Sequence, residues 1–266
     1  MDTTESERVA GAARQFYDHQ IARRRCALPE ALRPRDLAEG YAVQDRLHAL
    51  YAEGGFGALA GWKIALTTRV MQELVGVDHP CEGAIFSTGV RRERATVPAR
   101  DHVRIGGEAE IAVRLGRDLP AAGAPYDRDA VAGAVAACMA AVEIVDDGDV
   151  DYDRFDAPFL VAANGFNRGC VLGPEVTGWR RLDLAALRGR MTVGDELVGE
   201  GSGADVLGHP LEALAWLANS LVGRGRMLRA GEVVLTGSVV ATRWLDPGET
   251  LTVVIEGLGE ARLEIV

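Results

Sequence analysis

The segment Gly107-Glu108-Ala109-Glu110-Ile111-Ala112-Val113-Arg114-Leu115 alternates between residues that suit water and residues that suit a core. On a strand, Glu108 and Glu110 share one face about 7 Å apart, while Ala109, Ile111, Val113 and Leu115 take the other. Two carboxylates side by side repel unless a cation bridges them or they share a proton. A hard divalent ion with oxygen ligands, such as Mg²⁺, answers that need and keeps waters that a substrate can displace. The same alternation also describes the wet face of an edge strand. Glu143 lies in the apolar run Met139-Ala140-Ala141-Val142-Glu143-Ile144-Val145-Asp146. An unpaired charge is costly there, so its partner is either a metal that needs a third ligand or an arginine.

The chain has 28 arginines and one lysine, Lys63, set among Trp62, Ile64 and Leu66. Arginine stays charged, whereas a buried amine can be tuned to lose and regain a proton. That makes Lys63 an acid–base candidate, against the alternative of a packed stem with its head in water. Val233-Val234-Leu235-Thr236-Gly237-Ser238 is a buried-strand pattern ending in two hydroxyls around a glycine. Thr236 and Ser238 are suited to binding a carboxylate, and the glycine to a close backbone approach.

These residues need a scaffold. Apolar spacing predicts a helix over 4–25 and a second from about Asp36 to Gly54. A strand over 58–66 and a short helix over 68–75 follow. Beyond residue 83 short alternating runs predict strands over 108–115, 190–200, 232–236, 249–255 and 260–266, with turns at 193–196 and 257–259. Helices are expected over 128–140 and 210–224, the latter opened by Pro210. The acidic stretch 146–153 is expected to be a loop, either solvated or the rim of a cation site. The fold class expected is α+β, with a helical N-terminal region over 1–75 packed on a catalytic domain over 76–266.

A net charge of −10 speaks against nucleic acid as a partner. The N-terminus is acidic and polar, unlike a signal peptide, and the longest apolar run, 13 residues from Ala130 to Val142, is too short to span a bilayer. Cys26, Cys81, Cys138 and Cys170 are scattered and are expected to be reduced thiols of a cytoplasmic protein. Gly199-Glu200-Gly201-Ser202-Gly203 misses the dinucleotide-binding spacing.

Taken in order, these segments resemble the fumarylacetoacetate hydrolase superfamily, and within it the branch of 2-oxopent-4-enoate (2-hydroxypentadienoate) hydratases and 4-oxalocrotonate decarboxylases. The resemblance rests on Trp62-Lys63-Ile64-Ala65-Leu66-Thr67, Gly76-Val77-Asp78-His79-Pro80, Glu108-Ala109-Glu110, Glu143-Ile144-Val145-Asp146, and Val206-Leu207-Gly208-His209-Pro210 with Ala215-Trp216-Leu217-Ala218-Asn219. It implies a mixed β-sandwich-like roll, Mg²⁺ or Mn²⁺ on Glu108, Glu110 and Glu143, and a homo-oligomer. It also implies a small 2-oxoacid or dienoate substrate held near Leu66, Asn164, Thr236 and Ser238. Lys63 then shuttles a proton, with Asp78 a second acid–base candidate or simply a loop cap, and water adds to the distal alkene. A decarboxylase of the same branch and a catalytically silent ligand-binding homologue are the alternatives. Two departures stand out. Asp147-Gly148 replaces the usual Ser-Arg, which removes a cation, and Ala163-Asn164-Gly165-Phe166 replaces Asp-Asn-Ala-Ser.

Overall fold

A computed structural model describes residues 3–266. The chain opens with helices α1 (Thr3–Ala22) and α2 (Leu37–Glu53), then β1 (Leu59–Ala65), α3 (Arg69–Leu74), β2 (Cys81–Phe86), β3 (Val90–Arg92), β4 (Arg94–Val97) and β5 (Ile105–Leu115). There follow α4 (Arg128–Ala132), β6 (Val135–Asp146), α5 (Ala157–Ala162), β7 (Asn167–Leu172), β8 (Arg188–Val193), β9 (Glu196–Ser202), α6 (Pro210–Gly223), β10 (Val233–Trp244), β11 (Thr250–Ile255) and β12 (Gly259–Ile265). Helix starts follow local chemistry. Asp36 caps α2 by accepting from Glu39 N at 2.9 Å, and His209 Nδ1 accepts from Leu211 N at 3.0 Å ahead of Pro210 in α6. The mixed helix and sheet architecture with a helical N-terminus is the expected one. The strand β1 also falls within residues 1–75, but it pairs with β2 and β10 in the large sheet.

That sheet has seven strands in the order β2-β1-β10-β5-β6-β7-β3; a second has five, β4-β12-β11-β8-β9. The large sheet curls until β2 packs against β7, with four strands between them in the order, making a roll. One face of it carries a closed apolar cluster of Ile85, Ala112, Met139, Ala141, Cys170, Leu172, Val233 and Leu235. The register puts these on one side, since Ala112 lies opposite both Leu235 and Met139, and Ala141 opposite Leu172. The other face, with Ile111, Val113, Val142 and Ile144, joins the main core against α6 and the five-stranded sheet. Burying each large side chain there stabilises by about 1.5–3 kcal/mol.

The alanine-rich run corrects the helix expected over 128–140. The helix stops at Ala132, and Val135–Asp146 is a strand between β5 and β7. Alanine favours helix in isolation, but a strand buried on both faces has no polar alternation to betray it. Here small side chains are what fit between the roll interior and the main core.

Candidate active site

The site lies where the apolar filling of the roll gives way to charge. Glu108 on β5 and Glu143 on β6 are directly paired across the ladder, and Glu110 follows two residues on, so all three share a face. One carboxylate oxygen from each lies within 4.8 Å of the others. Neither bland alternative describes them. β5 is an internal strand, between β10 and β6, and the cation beside Glu143 is Lys63, whose Nζ is 3.2 Å from Oε1. Glu110 and Glu143 are fully buried and Lys63 nearly so, while Glu108 is half-buried at the open side.

Each carboxylate is held by a different neighbour. Asn167 Nδ2 donates to Glu143 Oε1 at 2.9 Å while its own Oδ1 accepts from Gly169 N. Gly237 N donates to Glu110 Oε2 at 2.7 Å, and the Thr242 hydroxyl donates to Glu108. Gly237 has φ +129° at an irregularity of β10, and a Cβ there would meet the Thr67 side chain at 2.5 Å. Only glycine turns that N–H onto Glu110 without a clash.

Two buried oxygens, Glu110 Oε1 and Glu143 Oε2, have no hydrogen-bond partner. Leaving such atoms unpaired costs free energy, and the electrostatics register it. Burial, then repulsion from Glu143 and Glu108, holds the Glu110 carboxyl well above its ordinary range. Burial likewise raises Glu143, against the pull of Lys63. For Lys63, burial favours the neutral amine, but Glu143, Glu108 and Glu110 outweigh it and raise its pKa. With all three carboxyls ionised, the one ammonium leaves two negative charges in excess. An all-oxygen donor set with unfilled lone pairs fits a divalent cation.

The other residues singled out by sequence are placed differently. The Thr236 hydroxyl donates to Ile111 O at 2.8 Å, and the Ser238 hydroxyl donates to the Val240 carbonyl. Asn164 is buried with its amide engaged: Oδ1 takes Ala84 N at 2.7 Å and lies 2.8 Å from His48 Nε2, while Nδ2 donates to Ala84 O. The amide thereby anchors a turn in which Asn164, Gly165 and Phe166 all have φ between +57° and +60°, and Gly165 packs against the Lys63 side chain. Leu66, just past β1, has φ +60° and gives its carbonyl to Gln72 Nε2 at 2.8 Å. Left-handed residues on both sides of Lys63 store backbone strain, as functional sites often do. Asp78 is exposed and lines a cavity of about 640 Å³ with Thr67, Arg69 and Gln72. Thr67 joins that cavity to the Gly237–Glu110 contact.

Residues 82–266 match the family model for the fumarylacetoacetate (FAA) hydrolase C-terminal domain. The chain belongs to the fumarylacetoacetate hydrolase family. It is 36% identical over 262 residues to a 2-keto-4-pentenoate hydratase of Paraburkholderia phymatum, covering 97% of this chain and 98% of that one. It is 31% identical over 229 residues to a 4-oxalocrotonate decarboxylase of Pseudomonas putida, covering 86% and 85%. Among solved structures, the 4-oxalocrotonate decarboxylase of Pseudomonas putida G7 complexed with magnesium and adipate superposes with TM-score 0.90 at 26% identity, covering 98% of both chains.

Within this family the two departures have local reasons. Gly148 has φ +62°, and a Cβ there would lie 2.5 Å from Cys26 Cβ, so an arginine does not fit. Asp147 is buried, accepting from Arg104 Nη1 at 3.2 Å and from the Tyr152 hydroxyl at 2.7 Å. Cations thus approach this loop from Arg104, and from Arg168 beside Asp146. Phe166 is buried and stacks on Phe155 at 5.8 Å. Sequence reasoning passed over Asn167. Its approach to Glu143 depends on a register shift between β6 and β7, which no local pattern announces.

Proposed function

We propose that this protein is a divalent-metal-dependent hydro-lyase that adds water to a 2-hydroxy-2,4-dienoate to give a 4-hydroxy-2-oxoacid. The observation that carries this is the position of Lys63, a buried amine 3.2 Å from one of three converging carboxylates. Glu108, Glu110 and Glu143 would hold Mg²⁺ or Mn²⁺. Such an ion supplies Lewis acidity toward the carboxylate and 2-oxo oxygens of a substrate. Lys63 then holds and moves the proton that interconverts dienol and ketone. Its ammonium is favoured only while the carboxylates are uncompensated; once they are neutralised, burial is left to lower its pKa toward a working range. Gly165 and the strained turn around it keep the amine aimed into the site. The cavity bearing Asp78 and Arg69 would take the distal end of the substrate, where water adds. The relatives named hydratase support this assignment, and the four free cysteines suit a cytoplasmic role in aromatic or related catabolism. A homo-oligomer belongs to the same proposal.

A decarboxylase acting on 4-oxalocrotonate is the second reading, favoured by the TM-score of 0.90 to such an enzyme. Incubation with 2-hydroxypenta-2,4-dienoate or 4-oxalocrotonate, each with Mg²⁺ and with EDTA, separates the two. Ultraviolet loss of the dienoate without CO₂ release, abolished by EDTA, is the expected result. CO₂ release from 4-oxalocrotonate with no turnover of the dienoate would replace the hydratase assignment by the decarboxylase. Turnover of neither would leave a silent binding homologue.

A further inference from the structure

Outside the roll, a cleft of about 270 Å³ lies between α1 and the strands β2, β3 and β7. None of Lys63, Glu108, Glu110 or Glu143 lines it. Its lining combines two chemistries. Phe56, Phe86 and Val97 are apolar. Arg23, Arg91 and Arg168 are set against a single acid, Asp101, in a chain whose net charge is −10. Arg23 is paired with Asp101 at 2.8 Å. The other two have N–H groups to offer. Arg91 gives Nη1 to Gly89 O at 3.0 Å, and Arg168, which hydrogen-bonds the Tyr51 side chain, approaches Asp146 at 3.8 Å, so each guanidinium keeps further N–H groups. Planar guanidinium forks bind carboxylates in bidentate fashion, and apolar side chains lining the same cleft take the body of a small ligand.

We infer that this cleft is a second ligand site, binding a small organic carboxylate with a flat apolar body, its charge on Arg91 and Arg168 and its body against Phe56 and Phe86. Asn167 lines the cleft and also donates to Glu143, and Asn164, which anchors the turn packed against Lys63, lines it too, so the two sites share both residues. The inference does not depend on the reaction assigned above.

Calorimetric titration of the full-length, metal-free protein with benzoate tests it, with neutral benzamide as the control for charge. Saturable one-to-one benzoate binding is expected, at least tenfold weaker for benzamide and at least tenfold weaker in both Arg168→Lys and Arg91→Gln. Arg91 is half-buried on the edge strand β3, so its variant leaves the packing around Arg168 in place. Glu110→Gln, which disables the carboxylate cluster, should bind benzoate as the wild type does. Absence of saturable binding, equal affinity for benzamide, or loss confined to Glu110→Gln would each overturn the inference.

Discussion

Two acidic clusters sit three residues apart on β6, and they are treated in opposite ways. Asp146 accepts from Val103 N, Arg104 N and Gly148 N at 2.9–3.1 Å, with His102 and Arg168 nearby. Burial alone would raise its pKa, but those donors and cations outweigh it and hold it far below the ordinary carboxylate range. Glu110 and Glu143 are just as buried, yet each has an oxygen without a donor, and both are raised. The first cluster is completed by the protein itself and holds a loop in place. The second keeps two oxygens without a donor, as the proposed cation site requires. Burial and acidity are common to both; the missing donors are what distinguish a ligand site from a structural one.

The sharpest way to break this comparison is Glu110→Gln. It should abolish stoichiometric Mg²⁺ binding in calorimetry and activity with it. In the metal-free state the variant should melt above the metal-free wild type at high pH, where the wild-type Glu110 is driven to ionise beside Glu143 and Glu108. A lower melting temperature would mean that Glu110 is satisfied like Asp146.

Lys63→Arg keeps the charge but removes the titratable amine. Turnover should fall ~10²–10⁴-fold, the usual contribution of a general acid–base group, with Mg²⁺ affinity little changed. Turnover above half of the wild-type rate would remove the lysine from the chemistry.

Asp146→Asn should act in the opposite sense to Glu110→Gln. Losing the anion that His102, Arg168 and three backbone N–H groups surround should destabilise by roughly 2–3 kcal/mol in denaturant unfolding, with Mg²⁺ stoichiometry intact. Equal stability would show that this cluster is not structural.

The smallest effect is graded with pH. Raised carboxyl groups bind protons that a cation must displace, so Mg²⁺ affinity should fall as pH drops from neutral toward 5, by up to ~tenfold per unit for each proton released. The sign for folding is the reverse in metal-free protein. Carboxyls with raised folded pKa values bind protons more tightly when folded, so their contribution declines as pH rises above the unfolded value. Asp146, depressed in the fold, contributes above its unfolded value and loses that as pH falls toward its folded one. A metal affinity flat between pH 7 and 5 would contradict the raised values.

Much of this was local enough to be legible in sequence. A lone lysine in an apolar strand, a Glu-x-Glu alternation, a helix start near Asp36, Pro210 in a first turn, and the turns at 193–196 and 257–259 each follow from a few neighbouring residues. So did the suspicion about Glu143, since an acid in an apolar run must find a partner. Identifying that partner required the fold, because Lys63 and Glu143 meet across β1, β10, β5 and β6. The run over 135–142 became a strand because both sides of it are filled by neighbours, against its local helical preference. Asn167 reached Glu143 only through a shifted register, and Thr236 and Ser238 turned their hydroxyls to backbone carbonyls of β5 and β10. Residue type and spacing determine which groups can do chemistry, because pKa and ligand preference are properties of side chains. Which of them meet, and which oxygens are left without a donor, was decided by the closing of the roll, because pairing and burial exist only between segments brought together in space.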